Sequence, residues 1–230
     1  MYFIYIKRRV PFISMKVVVC IMGQIRHPDF TWLNFKKFVL DELGADLVTC
    51  GPDWQKDNDY TRNSILNIES DPKVETNAER VIEHRRTLFK HIPKAYDQYI
   101  LSRSDHMWYG PHPKLTPSYI WFMNSEFHFG ISDRHWVMGY NDFFEYCENP
   151  PKYNPELGGI EGNLVKHIHW GFGTALYPFP MYLTDEKGMY RRIDEHKASQ
   201  EVLYWPFAFI YDQKSEESNS YPGRAIKITN

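Results

Sequence analysis

Short apolar runs alternate along this chain with polar segments of helical character. Residues 16–22 are apolar after the leading lysine and rich in β-branched side chains, which predicts a central parallel strand buried on both faces. Trp32, Phe35, Phe38 and Val39 then recur at helical spacing and predict a helix over 31–43 that Gly44 ends. Residues 45–50 give a second strand, turned by Gly51-Pro52-Asp53-Trp54, so the chain opens as a βαβ unit. Residues 55–75 are polar and predict a long surface loop with short turns at most. Residues 76–91 predict a helix with Val81, Ile82, Leu88 and Phe89 among Arg80, His84, Arg85 and Arg86. That basic group reads first as a solvated face and second as a cluster within reach of a diphosphate.

The organising stretch is 96–106. Its apolar part, bounded by Pro93 before it and Gly110-Pro111 after it, predicts a buried strand over 97–102 that ends on Arg103-Ser104-Asp105. Ligands of open α/β sheets bind outside the carboxyl ends of such strands, which places Asp105 at that rim with Arg103 two residues earlier on one strand face. A carboxylate there can hold Mg2+ or Mn2+, hard cations that take oxygen ligands and are shared with substrate phosphates. The plainer reading is a rim ion pair or a turn cap. Further on, 119–123 and the end of 133–140 predict strands, and Asn141 is placed as the N-cap of a helix over Phe143, Phe144 and Tyr146. An amphipathic helix over 162–170 carries His167 and His169, whose two-residue spacing sets them on different faces and gives only weak support to a paired zinc site. A late strand over 201–210 is broken at Pro206.

Composition narrows the reading. A chain of 230 residues supports one sizeable core, assigned to 15–212, with 1–14 an extension or edge strand and 213–230 a polar tail. The net charge of -2 gives no global attraction to nucleic acid, so any polyanion site is local. Aromatics at 17% suit either a ring-lined cleft for a base or sugar or a large aromatic core. Cys20, Cys50 and Cys147 are odd in number and widely spaced, which argues against a disulfide framework or zinc knuckle and for a reducing, cytoplasmic setting. Apolar residues 1–6 precede Lys7-Arg8-Arg9, the reverse of a secretory signal, and no run approaches a membrane span. After the first strand, Gly23 allows close backbone approach, Gln24 can read a base or hydroxyl, and Arg26 can meet phosphate. Neither the spaced glycines of a dinucleotide fingerprint nor a GxxxxGK[ST] phosphate loop is present.

Taken in order, residues 17–21 followed by Gly23-Gln24-Ile25-Arg26, 96–101 leading into Arg103-Ser104-Asp105, and 133–139 before the Asn141 helix resemble small nucleotide-sugar-dependent glycosyltransferases of the GT-A fold. The likeness is to the bacterial polysaccharide-type and large-algal-virus versions and covers roughly 16–170. It implies one α/β domain with a mostly parallel sheet and helices on both faces. It also implies a UDP-sugar donor bound by Gly23, Gln24, Arg26, Arg103 and Asp105, a glycan acceptor, and Mn2+ or Mg2+ at Asp105. In that family the central strand ends in Asp-x-Asp; here Arg103 holds the first position, so one metal ligand is lost and a guanidinium can take over part of the diphosphate neutralisation. Asp133 and Glu161 are the candidate general bases toward the acceptor, Asp133 the first choice. A cytoplasmic, for a viral protein host-cytoplasmic, location goes with this reading. Its rivals are another metal-dependent nucleotide-using transferase, such as a nucleotidyltransferase, and a non-catalytic carbohydrate-binding or structural protein.

Overall fold

The run of β-branched residues after Lys16 forms β1, Val17–Met22, which hydrogen-bonds in parallel to β2, Asp46–Gly51, on one side and to β4, Gln98–Ser102, on the other. Beyond β2 lies β3, Leu66–Glu69, also parallel. The structure is a computed structural model that describes residues 15–123, 134–148, 154, 174–177, 179–183, 207–211 and 223–227. Within it β6 (Ile120–Met123), β7 (Trp136–Gly139), β8 (Thr174–Tyr177), β10 (Phe207–Tyr211) and β11 (Gly223–Lys227) extend the sheet past β4. The result is a nine-stranded sheet in the order β11-β10-β8-β6-β7-β4-β1-β2-β3, in which only β7 and β10 run against the rest. A two-stranded ribbon of β5 (His106–Trp108) and β9 (Met181–Leu183) stands above the carboxyl end of β4.

Strand alternation sorts the core into two layers. Val18, Cys20, Val48, Cys50, Tyr99 and Leu101 face one side, where they meet Ile82 and Leu88 of α4 (Asn77–His91) and Phe143 and Tyr146 of α5 (Tyr140–Glu148). Tyr99 and Phe143 stack there with ring centroids 4.1 Å apart, a contact worth about 0.5–1.5 kcal/mol beyond the area it buries. Val17, Val19, Ile21, Leu47 and Ile100 face the other side. They pack on Trp32 and Phe35 of α1 (Pro28–Phe35), Val39 of the π-helical turn that continues it (Lys36–Leu40), and Tyr60 of α3 (Asp59–Asn63). A last turn, α2 (Asp41–Leu43), ends at Gly44 in the left-handed conformation. This is a single α/β domain with a mostly parallel central sheet covered on both faces, consistent with a GT-A-like fold.

Several boundaries differ from the sequence reading. The first helix starts at Pro28, not 31, because His27 in the left-handed region turns the chain and lends its carbonyl to the Thr31 N–H, while Pro28 needs no donor at the first helical turn. The polar segment 55–75 is more than a loop: Asn58 and Thr61 form a reciprocal capping box that starts α3, and β3 follows as an edge strand. Asn141 lies inside α5, whose first residue is Tyr140, so it is not the cap. Part of the expected polar tail pairs with β10 as β11. The basic face of α4 is only partly solvated, since His84 and Arg85 are buried. Residues 1–14, Asp133, Glu161, and the 162–170 segment with His167 and His169 lie outside the described residues.

Candidate functional site

The carboxyl ends of β1, β2 and β4 meet at one rim. Gly23, with φ 79, turns the chain off β1 and donates its N–H to the Cys50 carbonyl at 2.8 Å. Gly51 packs so closely beneath it that a Cβ there would stand 2.1 Å from the Gly23 carbonyl oxygen. The next turns are pinned from neighbouring strands: the Ile25 N–H donates to Asp53 Oδ2 at 2.8 Å, and the Arg26 N–H to Ser104 Oγ at 2.7 Å. Tyr60 Oη lies 3.0 Å from Thr31 Oγ1 and 3.3 Å from the Ser104 carbonyl, joining α1, α3 and the β4 rim in one buried contact. Asn34 of α1 holds β5 by donating to the Trp108 carbonyl at 2.7 Å and accepting from the Trp108 N–H at 2.6 Å. These bonds fix where Arg26 and Asp105 stand.

Asp105 is at the centre of a charged cluster. Arg103 donates to it through Nε, at 2.8 Å from Oδ1, and through Nη2, at 2.6 Å from Oδ2, while Arg26 Nη1 lies 3.6 Å from Oδ2. Burial pushes the Asp105 carboxyl pKa up, but the Arg103 charge and hydrogen bonds, with His106 and Arg26, more than reverse this and hold it down at about 2. The ion pair expected as the plainer reading therefore exists, and it is reinforced by a second guanidinium from the loop after β1. Among the described residues, the Asp105 carboxylate faces two guanidinium groups. Arg26, Arg103 and Asp105 thus meet, while Gly23 opens the loop that carries Arg26 and Gln24 sits exposed on it.

Beneath Asp105 lies a group of histidines that the sequence did not single out. His112 Nδ1 lies 2.8 Å from the Pro113 carbonyl, which can only accept, so Nδ1 carries the proton and Nε2 accepts. His135 Nε2, 3.1 Å away, must then donate, which leaves His135 Nδ1 to accept from Ser102 Oγ at 3.0 Å. Burial lowers both pKa values, to about 4 for His112 and well below the usual range for His135, where His112 and His106 add to the effect. His106, next in chain to Asp105, is fully buried, and neither ring nitrogen has a hydrogen-bond partner among the described residues. Residues 102, 106, 112 and 135 come from separate strands and loops, so no local spacing signals them.

A divalent cation fits these residues poorly. Both Asp105 oxygens already accept from Arg103, and Asp53, another carboxylate among the described residues of this rim, is committed to the Ile25 N–H and, at 2.6 Å, to Lys56 Nζ. No group of three His, Cys, Asp or Glu side chains among the described residues is arranged to hold a metal. The half-buried guanidinium groups of Arg26 and Arg103 instead suit an oxyanion. The cysteines, all buried and free, take no part: burial raises the thiols of Cys20, Cys50 and Cys147.

Fold and rim together define an α/β protein of GT-A-like architecture with an Arg26–Asp105–Arg103 ion-pair cluster at the carboxyl end of its central strands. No protein-family model matches the sequence, and no curated protein matches it. Among solved structures it is similar to the apo-form glycosyltransferase GlyE of Streptococcus pneumoniae TIGR4, with 10% identity and a TM-score of 0.43. The match covers 70% of this chain and 44% of that one, so this chain corresponds to under half of that protein's length. Among the described residues no helix is long and apolar enough to cross a membrane.

Proposed function

We propose that this protein is a nucleotide-sugar-dependent glycosyltransferase that binds the diphosphate of its donor at the Arg26–Arg103–Asp105 cluster and passes the sugar to a glycan hydroxyl. The observation that carries this reading is the meeting of Arg26, from the loop after β1, with Arg103 and Asp105, from the end of β4, at the rim where ligands of such sheets bind. Glycosyl transfer asks the protein to stabilise the charge that grows on a leaving nucleoside diphosphate and to take a proton from the acceptor hydroxyl. Arg26 and Arg103 suit the first task. For the second, Asp133 is the proposed base of an inverting transfer and Glu161 its rival. UDP is the preferred nucleotide on resemblance alone.

Calorimetric titration with UDP, GDP and their sugars, with and without Mn2+, tests the donor site. Binding of at least one nucleotide diphosphate, weakened in Arg103→Met, is the expected result. Failure of all of them under both conditions would turn the reading toward a carbohydrate-binding or structural protein. For the base, Asp133→Asn is expected to bind donor normally and lose transfer by about 10²–10⁴-fold with an inverted product in the parent protein, while parental turnover would move the role elsewhere.

A further inference from the structure

We infer that the diphosphate is held between Arg26 and Arg103 without a divalent cation, and that Asp105 is a positioning residue for these two guanidinium groups and not a metal ligand. The inference rests on the donor-site reading above and departs from the metal-bridged arrangement that the Asp-x-Asp resemblance implies. Three observations carry it. The first is the order in which a ligand meets the cluster: the side chains of Arg26 and Arg103 are 38% and 29% exposed, whereas that of Asp105 is 1% exposed. From solvent, the guanidinium groups form the face and the carboxylate is their buried backing.

The second is commitment of the carboxylate. Arg103 grips both Asp105 oxygens with Nε and Nη2, so turning an oxygen toward a cation would break charge-assisted bonds in a buried place. The same grip uses one edge of the Arg103 fork and leaves the Nη1 side, with its two N–H donors, for a phosphate. The third is charge. Hard cations of this kind gather several oxygen ligands, often from more than one carboxylate, but among the described residues one carboxylate, Asp105, faces two guanidinium groups. A dication would be repelled by those two guanidinium groups, whereas a diphosphate would pair with them. Asp105 keeps the two arginines, which would otherwise repel, close enough to share one ligand.

The test is titration of UDP and GDP into the full chain in EDTA and again in Mn2+, for the unmodified protein, Arg103→Met, Asp105→Asn and the double variant. Affinity in EDTA is expected to agree with that in Mn2+ to within about threefold. Arg103→Met is expected to weaken binding by about tenfold or more, since a hydrogen bond between charged groups is lost. Asp105→Asn is expected to weaken it by less, and the double variant to lose less than the two single losses combined, because Asp105 acts through Arg103 as well as through Arg26. Binding that vanishes in EDTA and returns with Mn2+ would overturn the metal-free clamp while leaving the donor site in place. Losses that add in the double variant would overturn the positioning role. No binding by either nucleotide in either condition would remove the donor site and the clamp together. The EDTA comparison needs no variant, so it decides the matter even where Asp105→Asn fails to fold.

Discussion

Gly51 shows how little freedom the rim has. A Cβ at this position would lie 2.1 Å from the Gly23 oxygen and 2.7 Å from its carbonyl carbon, backbone atoms that cannot rotate away. Gly51→Ala is therefore expected to displace the 23–26 loop, to cost about 1–3 kcal/mol in denaturant unfolding, and to weaken nucleotide binding by moving Arg26. Parental stability and affinity would show that the two loops are not held as tightly as their contact indicates. The buried imidazoles set a second expectation. His84 and His112 are held at about 4, and His135 well below the usual value, chiefly by burial. Above about pH 6.5 they are neutral in the folded and unfolded chain alike. As pH falls toward 4, the unfolded chain takes up protons that the folded one refuses, so stability falls by about 1.4 kcal/mol per pH unit for each histidine. Asp105 works in a lower window: its contribution is present above the ordinary carboxylate range and lost as pH falls through about 2. Urea midpoints at pH 7.5, 6 and 5 are expected to decline at each step, and a flat profile would mean that water reaches these rings.

At the scale of elements, α4 is the most informative. Thr76 and Glu79 form a reciprocal capping box at its start, and its buried face carries Ile82 and Leu88 but also His84 and Arg85. Arg85 is fully buried, with its guanidinium carbon 4.1 Å from the Trp136 ring centroid and 5.5 Å from that of Tyr146; Nε, Nη1 and Nη2 have no hydrogen-bond partner among the described residues. Two such ring contacts stabilise a desolvated cation by about 2 kcal/mol or more each, against several for taking it out of water. Arg85→Met, which keeps the volume and removes the charge, is thus expected to leave stability unchanged or to raise it by about 1–4 kcal/mol in denaturant unfolding. A loss above about 2 kcal/mol would mean that the guanidinium has an anionic partner when the protein is in solution.

For the molecule as a whole, the rim joins loops from β1, β2 and β4 with α1 and α3, so a ligand seated there ties together much of the fold. Saturation with a bound nucleotide at about 100 times its Kd is expected to stabilise the protein by about 2.7 kcal/mol and to raise Tm by about 5–10 °C. The nucleoside without phosphates is expected to give no such shift. Equal shifts from nucleoside and diphosphate would place the recognition on the base and away from Arg26 and Arg103.

Much of the frame follows from local rules. The apolar runs at 17–22, 46–50 and 97–102 leave no choice but buried strands, Gly44 stops a helix because its left-handed conformation is cheap only for glycine, and Thr76 with Glu79 marks a helix start. Placement of Asp105 and Arg103 at a rim also follows, since a buried strand must end where its charges begin. Other features depend on residues far apart in the chain. The short α3 and β3 are hidden in a polar composition, because burial of Tyr60 against Trp32 and Phe35 and pairing with β2 hold them in place. Arg26 reaches Asp105, 79 positions away in the numbering by the difference of 105 and 26, only because β1 and β4 pair side by side. The Ser102–His135–His112 chain needs β7 to return antiparallel against β4. Spacing along a sequence governs contacts within a helix or strand, but contacts between strands are set by sheet order, and sheet order is decided by which faces the whole chain can bury at once.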